Sequence, residues 1–174
     1  MAKGSPAVGI LMGSDSDWPK IQAVGEALDE FGVAWEANVM SAHRTPDAVV
    51  KYVQEAPGRG VKVIIAAAGG AAHLAGVVAA HSTLPVIGIP VPTPDLGGLD
   101  SLLSTVQMPG DVPVVSVAVG LGGPRNAGIF AVQILATGNP ALAEKLADFK
   151  RKIAAKIESK NAAFQQSLAK GPRS

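Results

Sequence analysis

Hydrophobic and polar positions along this chain change period in a regular way. Short, continuous apolar runs at Ala7 to Met12, Val61 to Ala67 and Pro85 to Pro90 alternate with segments whose apolar residues recur every three to four positions. The first pattern marks buried strands and the second marks helices lying on them. The first run ends at Gly13-Ser14-Asp15-Ser16-Asp17, where Trp18-Pro19 opens a helix carrying Ile21, Val24, Leu28 and Phe31 that Gly32 stops. A second strand, about Ala34 to Met40, leads into Ser41-Ala42-His43-Arg44-Thr45-Pro46. There Thr45 suits an N-cap and Pro46 the first helical position, so the spacing predicts a helix through Val49, Val50 and Val53 to Pro57-Gly58. Gly69-Gly70-Ala71-Ala72-His73 follows the third strand and precedes a short helix from Leu74 to His81. Pro90-Val91-Pro92-Thr93-Pro94 is expected to be a stiff loop and not central strand, because its prolines remove donors. A helix from Leu99 to Met108, a fifth strand from Val112 to Val119 and a helix from about Asn126 to Leu135 come next. Asn139 caps the last helix, Pro140 to about Leu168, whose Leu142, Leu146, Phe149, Ile153 and Ile157 form one stripe.

Strand and helix thus alternate five times, the pattern of an α/β fold with a parallel sheet covered on both faces. The chain of 174 residues is expected to form a single domain, with a core of about 7–140, a long terminal helix of about 140–168 and a tail at 170–174. A one-sided helix of that length suggests a partner subunit, and a symmetric homo-oligomer is the usual outcome. Ligands of such sheets bind outside the carboxyl ends of the strands, near a reversal in strand order. Gly13 to Asp17, Ser41 to Arg44, Gly69 to His73 and Pro90 to Gly98 each follow a strand, so all four loops belong on one edge.

Composition narrows the chemistry. The chain is 48% apolar but has only seven aromatic residues, which calls for a closely packed core of Ala, Val, Ile and Leu. Fifteen basic and 14 acidic residues give a net charge of +1, with no basic block of the kind that binds nucleic acid. The absence of cysteine removes disulfides, thiolate catalysis and thiolate metal sites. No apolar run reaches the roughly 20 residues that span a bilayer, and the first residues do not read as a signal peptide. A soluble, cytoplasmic protein without membrane association is the expectation.

His43 and Arg44, entering a helix N-terminus, are the leading candidates. Unpaired amides, the positive end of the helix dipole and a guanidinium favour a phosphate or carboxylate there, and imidazole can exchange protons near neutral pH. His43 is accordingly read as a general acid or base and Arg44 as a phosphate ligand. Ser14, Ser16 and Ser41 can cap helices or donate to a ligand, and both tasks need the same orientation. Asp17 is either a helix-dipole residue or an acceptor for ribose hydroxyls. His73 either lies against a ligand or is a histidine satisfied by a carbonyl, while His81 is read as structural. The three histidines lack metal-ligand spacing, so no metal site is expected. Gly120-Leu121-Gly122-Gly123 is a weak dinucleotide signal, since Arg125 replaces the third glycine and the turn follows the last strand. Neither a Gly-x-Ser-x-Gly elbow nor a Walker loop occurs.

Four motifs carry a specific resemblance. Gly13-Ser14-Asp15-Ser16-Asp17-Trp18, Ser41-Ala42-His43-Arg44-Thr45-Pro46, Ala68-Gly69-Gly70-Ala71-Ala72-His73-Leu74 and Asp100-Ser101-Leu102-Leu103-Ser104 with Val106-Gln107-Met108-Pro109 closely resemble the N5-carboxyaminoimidazole ribonucleotide mutase family of purine biosynthesis, over about residues 7–140. The resemblance implies a three-layer α/β/α fold, flavodoxin-like in its five-stranded parallel sheet, and a homo-octamer whose active sites are shared between subunits. It implies no cofactor, and transfer of a carboxylate from the exocyclic amine to the ring carbon of the aminoimidazole nucleotide. His43 matches the family's general acid and base; Ser14, Asp17 and Arg44 match its nucleotide-binding positions. Ser16 and Ser41 are expected as further contacts, and His73 in the loop that covers the reacting ring. Ala75 departs from the family's usual proline, and Pro124-Arg125 from its usual small residues. Direct carboxylation of the aminoimidazole nucleotide by carbon dioxide, as in the related animal-type enzymes, and a catalytically silent nucleotide-binding module on the same scaffold are the alternatives.

Overall fold

Five strands, β1 (Val8–Met12), β2 (Trp35–Val39), β3 (Val63–Gly69), β4 (Val86–Val91) and β5 (Val115–Ser116), form one parallel sheet in the order β2-β1-β3-β4-β5. The computed structural model describes residues 4–169, so the tail at 170–174 lies outside the described residues. Between the strands run α1 (Trp18–Ile21), α2 (Ala23–Phe31), α3 (Pro46–Glu55), α4 (Leu74–His81), α5 (Leu99–Val106) and α6 (Gly122–Ala136), and α7 (Pro140–Ala169) follows. The chain divides into two compact units, one ending at Leu135 and one beginning at Ala136.

In the first unit the sheet separates two apolar layers. Leu11, Ile64 and Ala66 pack with Val49, Tyr52 and Val53 of α3 and with Leu74, Ala75 and Val78 of α4. Ile10, Ile65 and Ile87, in register across three strands and alternating with that set, face the other layer. There Val24, Ala27 and Leu28 of α2 and Ala127 and Ala131 of α6 are all fully buried. A Cβ on Gly128 would lie 2.8 Å from both Ala27 Cβ and Val24 O, so α6 approaches α2 as closely as backbone allows. Full burial of each Ile or Leu contributes about 1.5–3 kcal/mol, and close packing of small side chains makes up for the scarcity of aromatics. The architecture is three-layer α/β/α and flavodoxin-like.

Several elements differ from the sequence reading, each for a local reason. The first helix is preceded by a 3-10 turn at Asp15–Asp17 and is interrupted at Gln22. Pro90 and Val91 belong to β4, paired with Ala68 and Gly69, although β4 lies between two other strands. On the β5 side Val117 N–H donates to Gly88 O at 3.2 Å. The next rung would use an N–H at residue 90, which proline lacks. That removes a bond from β5 and not from β3, and it accounts for the pairing stopping after Ser116; on the other side the segment 112–114, which holds Pro113, is unpaired too, so β5 covers Val115 and Ser116 and not 112–119. Gly122, Gly123 and Pro124 begin α6, so the glycine cluster is a helix start, where the first turn accepts proline. Arg125 forms an ion pair with Glu30 of α2 at 2.7 Å, and Ala75 is buried in the first turn of α4.

The second unit is described by α7. Asn139 Oδ1 accepts from Leu142 N at 3.3 Å, the cap expected from sequence. Ile153, Ile157, Phe164 and Leu168 along it are exposed. No described helix is long and apolar enough to cross a membrane.

Candidate functional site

The strand order reverses between β1 and β3, and the loops leaving β1, β2 and β3 meet outside that point. An open cleft of about 440 Å³ lies there, and Ser14, Asp17, Ser41, His43 and Arg44 line it. Thr93, after β4, lines it too. Ser16 is one step removed, with its hydroxyl 2.8 Å from that of Ser14. His73 reaches the site through His43 and not through the cleft wall.

Each loop is held by its own hydrogen bonds. Ser14 Oγ accepts from Ser16 N at 3.3 Å and caps the 3-10 turn. Ser41 Oγ accepts from His43 N at 3.3 Å and from Arg44 N at 3.2 Å. Those two amides therefore do not point free toward an anion, as the helix-start reading had them. Nor does the Thr45 side chain cap α3: its hydroxyl accepts from Ser41 N at 2.9 Å and closes the turn on itself. What faces the cleft is side-chain chemistry. Arg44 Nη2 donates to Gly13 O at 2.7 Å, which joins the first two loops and leaves most of the guanidinium's five donors for a ligand.

Asp17 is only 9% exposed. Burial pushes its carboxyl above the ordinary range, a rise opposed by the charge of Lys20 and by the Ser14 backbone and reinforced by Asp15. Lys20 Nζ donates to Pro92 O at 3.4 Å, tying α1 to the loop that bears Thr93.

His43 Nε2 and His73 Nδ1 are 2.8 Å apart, with ring centroids 4.9 Å apart and planes at 75°. A neutral imidazole has one N–H and one acceptor, so one proton lies between the two rings. If His43 donates it, His43 Nδ1 is left as a base; if His73 donates, the free base is His73 Nε2. Both rings are exposed and able to exchange protons with a ligand or solvent. The pair could not be read from sequence, because 30 positions separate its members. Thr93 gave no signal beyond its place on a strand-end loop. Among the described residues no group of three or more His, Asp or Glu side chains is placed to hold a metal ion.

Fold and site define a flavodoxin-like α/β protein whose ligand cleft, at the switch point of the sheet, sets an arginine and serine hydroxyls beside a histidine pair. The AIR carboxylase family matches residues 7–156, and the chain belongs to that family. It is 51% identical over 166 residues to the N5-carboxyaminoimidazole ribonucleotide mutase of Synechocystis, covering 95% of this chain and 93% of the relative. To the enzyme of that name from Bacillus subtilis it is 55% identical over 141 residues, 81% of this chain and 87% of the relative. The crystal structure of Treponema denticola PurE superposes with a TM-score of 0.83 at 28% identity, covering 91% of this chain and 98% of that one.

Proposed function

We propose that the protein converts N5-carboxyaminoimidazole ribonucleotide into its ring-carboxylated isomer, as an isomerase of purine biosynthesis. The observation that carries this reading is similarity at about half identity, over 81–95% of the chain, to enzymes named for that mutase, joined to a cleft holding His43, Arg44, Ser14, Ser41 and Asp17. Arg44 with Ser14, Ser16 and Ser41 binds the phosphate end of the nucleotide, and Asp17 accepts from its ribose. His43 is the general acid and base, and His73 stands behind it.

The reaction balances without a cofactor. Cleavage of the carbamate N–C bond releases carbon dioxide and returns the electron pair, with a proton, to the exocyclic nitrogen. The ring carbon attacks carbon dioxide, and loss of its own hydrogen restores aromaticity. One proton is taken up at nitrogen and one released later at carbon, so a single imidazole can give the first as general acid and recover the second as general base. Carbon dioxide must stay beside its acceptor, and the Ala68, Gly69 and Ala71 wall offers a small apolar surface for that.

The family's description as AIR carboxylase gives a second reading, direct carboxylation of the aminoimidazole nucleotide. Incubation of purified protein with the carbamate nucleotide, without ATP or bicarbonate, separates the two. Ring-carboxylated product supports the mutase; product only from the aminoimidazole nucleotide with bicarbonate supports the carboxylase. No product from either, with nucleotide still bound, would leave the silent binding module.

We further propose that both units act as one mutase domain, in the cytoplasm, within a homo-octamer whose active sites are shared between subunits. Exposed Leu99, Leu103 and Val106, spaced along one side of α5, and the exposed apolar residues of α7 support assembly.

A further inference from the structure

Within the Asp100 to Ser104 motif, Asp100 accepts from the hydroxyl of Thr93 in the cleft wall at 3.1 Å, while the side chains of Ser101 and Ser104 hold the loop that carries His73. Ser101 is fully buried. Its hydroxyl donates to Val91 O at 2.7 Å, at the end of β4, and accepts from Gly70 N at 2.9 Å. A hydroxyl has one proton, so the bond to Val91 fixes its orientation and aims a lone pair at Gly70. Ser104 Oγ, whose main acceptor is Asp100 O at 2.7 Å, also lies 3.3 Å from Gly70 O. Gly70 has φ +67°, a conformation that side chains rarely adopt. Beyond it the turn closes on itself through Ala72 N to Gly70 O and His73 N to Ala71 O, both 2.8 Å. Those bonds shape the turn but do not locate it. Ser101, 31 positions away, ties its first residue to α5, just beyond the pairing of Gly69 with Val91.

We propose that Ser101 is a positioning residue: by gripping Gly70 from α5 it places His73 against His43, and so sets the proton-carrying geometry of the site. The proposal rests on the mutase reading for its kinetic arm only. Arg44, Ser14 and Asp17 lie on other loops, so loss of the Ser101 hydroxyl should act on chemistry and leave binding alone.

The test compares Ser101→Ala with Thr105→Val. Thr105 is also buried on α5, and its hydroxyl donates to Ser101 O within the helix without touching the 69–73 loop. Ser101→Ala should lower kcat by about tenfold or more, with KM changed less than about twofold. It should also speed hydrogen exchange at the Gly70 amide and shift the imidazole signals of His43 and His73 in NMR spectra. Thr105→Val, matched by its Tm, should do none of these. If Ser101→Ala fails to fold, Ser104→Ala decides, with smaller changes of the same kind expected. Equal kcat losses in the Ser101 and Thr105 variants, or imidazole signals that stay in place, would overturn the proposal. Absence of mutase activity in the unaltered protein would refute the mutase reading instead, and the exchange and NMR arms would still decide the role of Ser101.

Discussion

Asp17 sits where function and stability oppose each other. Because burial raises its carboxyl pKa in the folded state, folding favours the protonated form. The associated stability is present below the ordinary carboxylate range and is lost as pH rises through the raised value, so the charged group destabilises the fold at neutral pH. Asp17→Asn should therefore raise Tm at pH 7, lose that advantage on the acid side and weaken nucleotide binding; thermal unfolding at two pH values checks the sign. His43→Asn should lower kcat by about 10²–10⁴-fold while KM moves little, which steady-state assay measures directly. Arg44→Ala should instead raise KM about 10- to 100-fold through loss of charge-assisted hydrogen bonds. Equal weakening toward the unphosphorylated nucleoside would contradict the phosphate assignment. At this scale the sequence was informative about residue type and place: His43, Arg44, Ser14, Asp17 and Ser41 all line one cleft. Orientation was not legible. That His43 meets His73 depends on tertiary placement that no local spacing encodes, whereas Thr45 had two local choices, capping α3 or closing back on Ser41 four positions earlier, and residue type does not decide between them.

Among the elements, β2 and α3 are joined by a polar cluster away from the cleft. Tyr52 OH donates to Glu36 at 2.7 Å, and Arg59, whose guanidinium lies 4.7 Å over the Tyr52 ring, donates to the same oxygen at 2.8 Å. Burial alone would push the Glu36 carboxyl up, but the hydrogen bonds from Arg59 and Tyr52 outweigh it and hold the carboxyl below its usual value. Burial, then Glu36, drives the Tyr52 phenol well upward, so it stays a donor throughout the working range. A lowered carboxyl pKa contributes stability above the ordinary range that is lost as pH falls through the lowered value. Tyr52→Phe should cost about 1–2 kcal/mol at neutral pH and move the acid unfolding midpoint upward, as followed by circular dichroism. Strands and helices were read correctly where a long apolar pattern decided them. They were misread where one backbone group did: Pro90 shortens β5 by withholding a rung, and Gly122-Gly123-Pro124 begins a helix in place of a loop.

At the scale of the whole molecule, the sequence disclosed the layer architecture because alternating apolar runs leave few ways to bury every strand. It did not disclose strand order, since β1 pairs with both β2 and β3 through contacts distant along the chain. Assembly is likewise a matter of surface. If exposed Ile153 and Ile157 of α7 lie at a subunit interface, Ile153→Asp combined with Ile157→Asp should reduce the mass seen by sedimentation without unfolding the sheet. An unchanged mass would contradict a part for α7 in the proposed homo-octamer.

His43 and Arg44 are neighbours in the chain, so their Cα atoms are held about 3.8 Å apart by one trans peptide unit. In the proposed site the proton carrier and the phosphate anchor form a ruler whose scale is set beyond that peptide unit by the bonds holding its two ends, Arg44 Nη2 to Gly13 O at 2.7 Å and His43 Nε2 against His73 Nδ1 at 2.8 Å. A substrate analogue lengthened by one bond between phosphate and heterocycle would fit either mark but not both, and its selection would be by span as much as by chemical group.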